Sequence, residues 1–195
     1  MATENSAILW RRLDTPGHDA CRLIQRDDGW RLQGSAAFLH EDGSPACACY
    51  EVDCDREWRT RRGRVRGSIG ARSLDLHIER ADDGQWRLDG KAVDGMDGLL
   101  DLDLGFTPAT NLLQLRRIAL DTGQTADVPV AWLDLPERGL RTLQQRYERR
   151  ARGAYWYEAP EYGYSALLRV NVLGFVEDYP QLWRMEARDG NPPAD

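Results

Sequence analysis

The segment Asp101-Leu102-Asp103-Leu104-Gly105-Phe106-Thr107-Pro108-Ala109-Thr110-Asn111, followed by Leu112-Leu113-Gln114-Leu115-Arg116-Arg117-Ile118, is a dense run of polar chemistry in the 195-residue chain. Asp101 and Asp103 stand two residues apart, on one side of a strand. Thr107, Thr110 and Asn111 put hydroxyl and amide groups around a Pro-initiated turn, and the guanidinium groups of Arg116 and Arg117 follow within six residues. That mixture of donors and acceptors suits a polyhydroxylated or phosphorylated head group. A self-contained reading uses the same residues: Thr107 caps a helix whose first position is Pro108, and the aspartates pair with the arginines across adjacent strands. A third reading makes Asp101 or Asp103 the general base of an enzyme on a carbohydrate or lipid intermediate. It requires a pKa raised by burial or by the neighbouring carboxylate, whereas Arg116 and Arg117 push towards ordinary ionised pairs.

Other constellations have simpler explanations. Cys47 and Cys49 share a strand face and could join Cys54 and a histidine around zinc. No Cys-x-x-Cys pair exists, however, and His18, His40 and His77 are scattered, so core packing is the expectation and no metal site is assigned. Glu158 and Glu161 flank Pro160 among aromatics, where an acid/base couple is conceivable; a hairpin turning at Glu158-Ala159-Pro160-Glu161 accounts for them. No nucleophile elbow, phosphate loop, dinucleotide loop or His-Glu-x-x-His helix is present, so no catalytic residue and no cofactor is assigned. Two arginine runs, Arg56 to Arg66 and Arg138 to Arg152, could grip a partner. An exposed strand face paired with acids such as Asp89, Asp94, Asp97, Asp101 and Asp103 explains them as well.

Strands must position these groups. Ala46 to Val52, Leu74 to Glu79, Leu100 to Leu104 and Val128 to Trp132 alternate apolar with polar, the pattern of half-buried strands. Asp-Gly turns at 27–29, 42–45, 82–84 and 121–123 separate them. Helix is confined to a turn or two from Thr107 and to Arg138 to Arg149. The hairpin Asp27-Asp28-Gly29-Trp30-Arg31-Leu32-Gln33-Gly34-Ser35-Ala36 recurs as Asp82-Asp83-Gly84-Trp86-Arg87-Leu88-Asp89-Gly90-Lys91-Ala92 once Gln85 is taken as an insertion, each Trp entering the core after its turn. The expectation is a mainly all-β domain over residues 1–188: a strongly curved antiparallel sheet, open barrel or β-roll with one or two short helices. Internal duplication makes it two related halves, about 1–70 and 71–188, with residues 189–195 a disordered tail.

With 26 Lys+Arg against 32 Asp+Glu, a net charge of −6 and pI near 5.2, the chain lacks the basic footprint of a nucleic-acid binder. No apolar run reaches the length of a membrane span, and Met1 to Leu13 has no signal-peptide pattern. Four cysteines confined to residues 21–54 do not look like a secreted disulfide framework, so a reduced, cytoplasmic protein is expected.

The segment 101–117 resembles the signature of a bacterial family named for putative glycolipid binding: Asp-Val-Asp-Leu, Thr-Pro-x-Thr-Asn, then Leu-Pro-Ile-Arg-Arg. Asp101, Asp103, Thr107, Pro108, Thr110, Asn111, Arg116 and Arg117 match it; Leu102, Gln114 and Leu115 depart from it, Gln114 standing where the pattern has Pro. Asp178-Tyr179-Pro180-Gln181-Leu182-Trp183 resembles the family's closing block. The family is similar in architecture to periplasmic carriers of bacterial lipoproteins, a curved antiparallel sheet around an apolar cleft. The resemblance implies non-catalytic binding of an amphiphilic small molecule, a glycolipid, with Trp and Tyr lining the cleft and Asp101, Asp103, Thr107, Thr110, Asn111, Arg116 and Arg117 holding its head.

Overall fold

The computed structural model describes residues 6–135 and 139–189. Its elements in chain order are β1 (Ser6–Arg12), β2 (Gly17–Arg26), β3 (Gly29–Leu39), β4 (Pro45–Cys54), β5 (Thr60–Ile69), β6 (Arg72–Arg80), β7 (Trp86–Leu88), β8 (Lys91–Ala92), β9 (Leu102–Leu104), α1 (Asn111–Ile118), β10 (Thr125–Asp127), β11 (Val130–Asp134), β12 (Gly139–Leu143), β13 (Arg146–Ala151), β14 (Ala154–Ala159), a 3-10 turn (Pro160–Tyr162), β15 (Tyr164–Val170), β16 (Val176–Tyr179) and β17 (Trp183–Arg188). Fourteen strands form one antiparallel sheet in the order β10-β13-β14-β15-β16-β17-β1-β2-β3-β4-β5-β6-β7-β8. β10 and β8 are its outer strands, so among the described residues the sheet is open; it is not a closed barrel. A second sheet, β12-β11-β9, includes one parallel pair, β9 with β11, against the all-antiparallel expectation.

Period-two patterning builds the large sheet. In β4, Ala46, Ala48, Tyr50, Val52 and Cys54 are buried, while Cys47 and Cys49 face outwards. Core packing therefore holds for Cys54, and for Cys21 on β2, but not for Cys47 and Cys49. Alternation also puts Cys54 on the opposite face from the other two, which rules out the three-cysteine zinc set. Among the described residues no cluster of His, Cys, Asp and Glu could hold a metal ion.

The sheet curves around its own inner layer. Thr107 bonds Tyr50 on β4 at 3.2 Å, and Asn111, four residues on, bonds Tyr147 on β13 at 2.8 Å. β4 and β13 are eight inter-strand steps apart, roughly 38 Å along a flat sheet at ~4.8 Å per step. Only a sheet bent around residues 101–118 brings both within reach. β9 lies in this concavity: Leu102 N–H bonds Thr60 Oγ1 on β5 at 3.0 Å, and Leu102, Asp103 and Leu104 are all buried. Its alternation signals a strand but not a solvated polar face, because protein covers both sides.

The Arg138-to-Arg149 helix is instead β12 and β13, with Arg138 itself outside the described residues. Buried Leu140, Leu143, Gln145 and Tyr147 are spaced ambiguously, and pairing with β11 and β14 decides in favour of strand. α1 begins at Asn111, three residues later than the Thr107 cap requires. Thr107 Oγ1 instead accepts the Ala109 N–H at 3.0 Å and donates to Asp19. Of the tail expected to be disordered, Asp189 bonds Ala7 at 3.0 Å, and residues 190–195 lie outside the described residues. The turn at 158–161 holds as a hairpin between β14 and β15, with the bend in Pro160–Tyr162.

Both Trp-Arg-Leu hairpins are present. Trp30 stands opposite Gln25 and Trp86 opposite Arg80, so the extra residue Gln85 is absorbed in the turn without turning the strand over. Gly84, at φ +89°, takes the left-handed position this longer turn needs. The two tryptophans nevertheless differ: Trp86 is fully buried, whereas Trp30 sits half-buried at the rim, stacked on Trp58 at 4.4 Å.

Candidate functional site

Of the seven expected head-group residues, Asp101, Asp103, Thr107, Thr110 and Asn111 are buried, and Arg116 and Arg117 are partly buried. They divide into three sets. Asp101, at 0% exposure, accepts a bidentate pair from Arg117, Nε at 2.9 Å and Nη2 at 2.5 Å. Burial lifts its carboxyl above the ordinary value, and Arg117 offsets part of that rise. This pair holds the C-terminal half of α1 to the strand leading into β9. Arg116 is elsewhere, its guanidinium 5.0 Å from the Trp58 ring.

Asp103 heads the second set. Its Oδ1 accepts from Thr110 Oγ1 at 2.7 Å and its Oδ2 from Gln145 Nε2 at 2.5 Å. Thr110 in turn accepts the Leu104 N–H at 3.2 Å. Burial raises the Asp103 carboxyl, while the bonds from Thr110 and Gln145 lower it in part. Beside it, Asn111 Nδ2 donates to Tyr147 Oη, which donates to Gln114 Oε1 at 2.9 Å. Gln114, the departure from the family pattern, therefore sits in an unbroken helix and is fully buried.

The third set contains a residue that the motif does not include. Asp19 on β2 is fully buried; its Oδ2 accepts from Thr107 and, at 2.8 Å, from Tyr50 Oη, while Oδ1 has no hydrogen-bond partner among the described residues. Tyr50 on β4 reaches Asp19 by lying across β3 at Gly34, where a Cβ would come within 2.3 Å of the phenol. The sequence carried one signal: Asp19 shares a face with the apolar Cys21 and Leu23.

Burial pushes Asp19 up from 3.8 to about 6, against the bonds from Thr107 and Tyr50. A raised carboxyl favours the protonated native state, so the stability it contributes is complete below the unfolded value and is lost as pH rises through about 6. For a shift of this size the loss is at most about 3 kcal/mol. Urea unfolding of wild type and Asp19→Asn between pH 4.5 and 7.5 is expected to show the variant gaining relative stability as pH rises. Parallel profiles would show that Asp19 does not titrate in this range.

Members of the second and third sets, Asp103, Thr107 and Asn111, also lie against a cleft of about 280 Å³; Asp101, Thr110, Arg116 and Arg117 do not line it. Its other walls are aromatic: Trp132 from β11, Tyr157 from β14, Tyr162 and Tyr164 beside the 3-10 turn, Tyr179 from β16 and Trp183 from β17. Tyr157, Tyr164 and Tyr179 contact one another with ring centroids 5.6–6.1 Å apart. Trp132 folds over Gly105, where a Cβ would lie 2.7 Å from the indole nitrogen, and meets Tyr162 edge to face at 5.5 Å. The Arg141 guanidinium lies 4.4 Å from the Trp132 ring. Such a cleft offers flat apolar faces and, at one wall, a carboxylate, a hydroxyl and an amide.

The arginine runs are neutralised in part, and by acids other than the expected Asp89, Asp94, Asp97, Asp101 and Asp103. Arg31 and Arg62 pair with Asp53, Arg64 with Asp75, Arg61 with Asp28, Arg141 with Asp134, Arg146 with Asp127 and Arg150 with Glu148. No helix among the described residues is long and apolar enough to cross a membrane.

No curated protein matches the chain. Among solved structures, the crystal structure at 1.80 Å of a DUF1089 family protein from Pseudomonas aeruginosa is similar, with a TM-score of 0.77 and 29% identity over 86% of this chain and 91% of that one. The family model described as "Putative glycolipid-binding" matches residues 7–185, which span the large sheet from β1 to β17 and all seven motif residues. The chain belongs to that family.

Proposed function

We propose that the protein binds an amphiphile with a sugar-like head, without catalysis, and that the aromatic cleft takes the head group. The observation that carries this reading is the convergence of six aromatic side chains from distant strands on Asp103, Thr107 and Asn111. The volume, about 280 Å³, sits at the small end of ligand sites, about 300–1,000 Å³, so it suits a ring-sized head rather than a long acyl chain. This differs from an apolar cleft for the tail with the whole 101–117 cluster at its mouth. Asp101, Thr110 and Arg117 serve the fold in this reading, and Asp103, Thr107 and Asn111 face the ligand. The same reading keeps the protein in the reducing cytoplasm, where exposed, unpaired Cys47 and Cys49 are stable.

One observation favours the enzymatic alternative: Asp103 lies at the cleft with its carboxyl raised by burial. Against it, both Asp103 oxygens already accept hydrogen bonds from Thr110 and Gln145. The Arg56-to-Arg66 face has less to offer as an interaction module, because Asp28, Asp53 and Asp75 pair with it.

Tryptophan fluorescence titration with octyl glucoside below its micelle concentration tests the reading. Saturable binding, weakened at least tenfold by Trp132→Ala and absent with an octyl polyoxyethylene of equal chain length, is expected. Equal binding of both detergents, or no effect of Trp132→Ala, would overturn it.

A further inference from the structure

A second depression, of about 560 Å³, opens at the other end of α1, between the β13–β14 hairpin, the 171–174 turn and β17. The aromatic cleft touches α1 at Asn111; this depression touches it at Leu115, Arg116 and Ala119, up to ~12 Å further along the helix. Leu112 and Leu113, both fully buried, fill the helix faces between the two. The depression is basic: Arg116, Arg149, Arg152 and Arg188 line it against a single carboxylate, Glu177.

Two of these arginines are already engaged. Arg188 bonds Glu177, and Arg116 packs its stem on Gly174, where a Cβ would lie 3.3 Å away, with its guanidinium on Trp58. Arg149, on β13 with its guanidinium 5.8 Å from the Tyr155 ring, and Arg152, in the turn between β13 and β14, form no ion pair with a described residue. Arg149 Nη1 donates to the Leu120 carbonyl at 2.6 Å, which answers the partial negative charge at the end of α1, but its Nε is buried with no acceptor. In an acidic chain whose sheet arginines mostly meet carboxylates, two guanidinium groups without one, lining the same concave wall, are what an oxyanion requires. Arginine's forked donors match phosphate oxygens in particular.

We infer that this depression is a second ligand site, for a phosphate or pyrophosphate group, held by Arg149 and Arg152. The chemistry is the same whether the group is a free anion or the phosphomonoester of a lipid. It is independent of the aromatic cleft, so it stands or falls separately from the head-group reading.

Calorimetric titration of the full chain with pyrophosphate is the direct test. Saturable binding is expected, weakened at least tenfold in Arg152→Gln, which is exposed and should unfold at the wild-type temperature. Arg149→Gln should weaken binding similarly, and Trp132→Ala should leave it unchanged. Co-flotation with phosphatidylcholine vesicles containing phosphatidic acid separates the sources. Flotation that Arg152→Gln abolishes assigns the site to a lipid phosphomonoester, and pyrophosphate binding without flotation assigns it to a free anion. Absence of both kinds of binding, or an Arg152→Gln variant that behaves as wild type in both, would overturn the proposal.

Discussion

Arg117→Ala is expected to destabilise the fold by about 3–5 kcal/mol, because it strands the Asp101 carboxylate at 0% exposure without its hydrogen-bonded counter-ion and leaves only the charge of Arg80 to offset it. Its hydrogen bonds in the pair come from Arg117 Nε and Nη2, whereas Arg80 acts on Asp101 through charge alone. Replacing both partners by apolar residues of similar size, Asp101→Leu with Arg117→Met, should recover most of that loss, since no buried charge then remains. Denaturant unfolding at constant slope reads both results. A head-group role for Arg117 predicts the reverse, an unfolding midpoint unchanged in Arg117→Ala with ligand binding lost. A single-variant loss under about 1 kcal/mol would return Arg117 to the ligand.

Trp86→Ala and Trp30→Ala should separate by several-fold although they occupy matching places in the two repeated hairpins. Trp86 is fully buried and donates from Nε1 to the Leu99 carbonyl at 3.2 Å; that carbonyl keeps its bond from Arg80 Nε at 2.8 Å, so truncation costs chiefly the cavity, about 3–5 kcal/mol. Trp30 is half-buried and its main packing is the stack on Trp58; about 1–2 kcal/mol is expected from that pair and the area it covers. Thermal unfolding of the two variants in parallel is the check. Equal losses would show that the rim tryptophan is as much core as its counterpart.

The same contrast marks what the sequence could tell. The turn chemistry and the alternation in β4, β6 and β9 located strands, because side-chain direction follows from the backbone alone. What covers each face does not. β9 alternates Leu-Asp-Leu as a surface strand would, yet Asp103 is enclosed by Thr110 and Gln145, the second of which is 42 residues away. Cys47 and Cys49 read as core by residue type, whereas their odd positions between Ala46, Ala48 and Tyr50 put them outside. For the site, the motif marked Asp103, Thr107 and Asn111; the self-contained reading had aspartates pairing with arginines, and Asp101 does pair with Arg117, but from α1 and not across adjacent strands. The cleft itself was only half legible. Residues 155–164 stood out as aromatic around Glu158 and Glu161, and Tyr179 to Trp183 only as part of the family's closing block, but Trp132 joins them only through the pairing of β11 with β9. We also read the two Trp-Arg-Leu hairpins as copies of one ancestral hairpin, a proposal that their matched pairing of Gln25 with Trp30 and Arg80 with Trp86 supports.

The strand order carries a consequence for how the chain is made. β1 lies in the middle of the sheet, between β2 and β17, and Ile8 pairs with Arg188 about 180 positions later. At about 5–20 residues per second, a ribosome needs roughly 10–35 s to deliver that partner after β1 has emerged. β1 to β6 form a meander of adjacent strands that can zip together during this interval, but the far side of β1 remains an open row of amide and carbonyl groups. The nascent protein therefore spends most of its synthesis with a mid-sheet strand acting as a temporary edge, and Trp10, whose Nε1 bonds the Val176 carbonyl at 2.6 Å in the finished fold, waits uncovered beside it. The two flanks of the sheet are joined late, by β17, the last of the described strands.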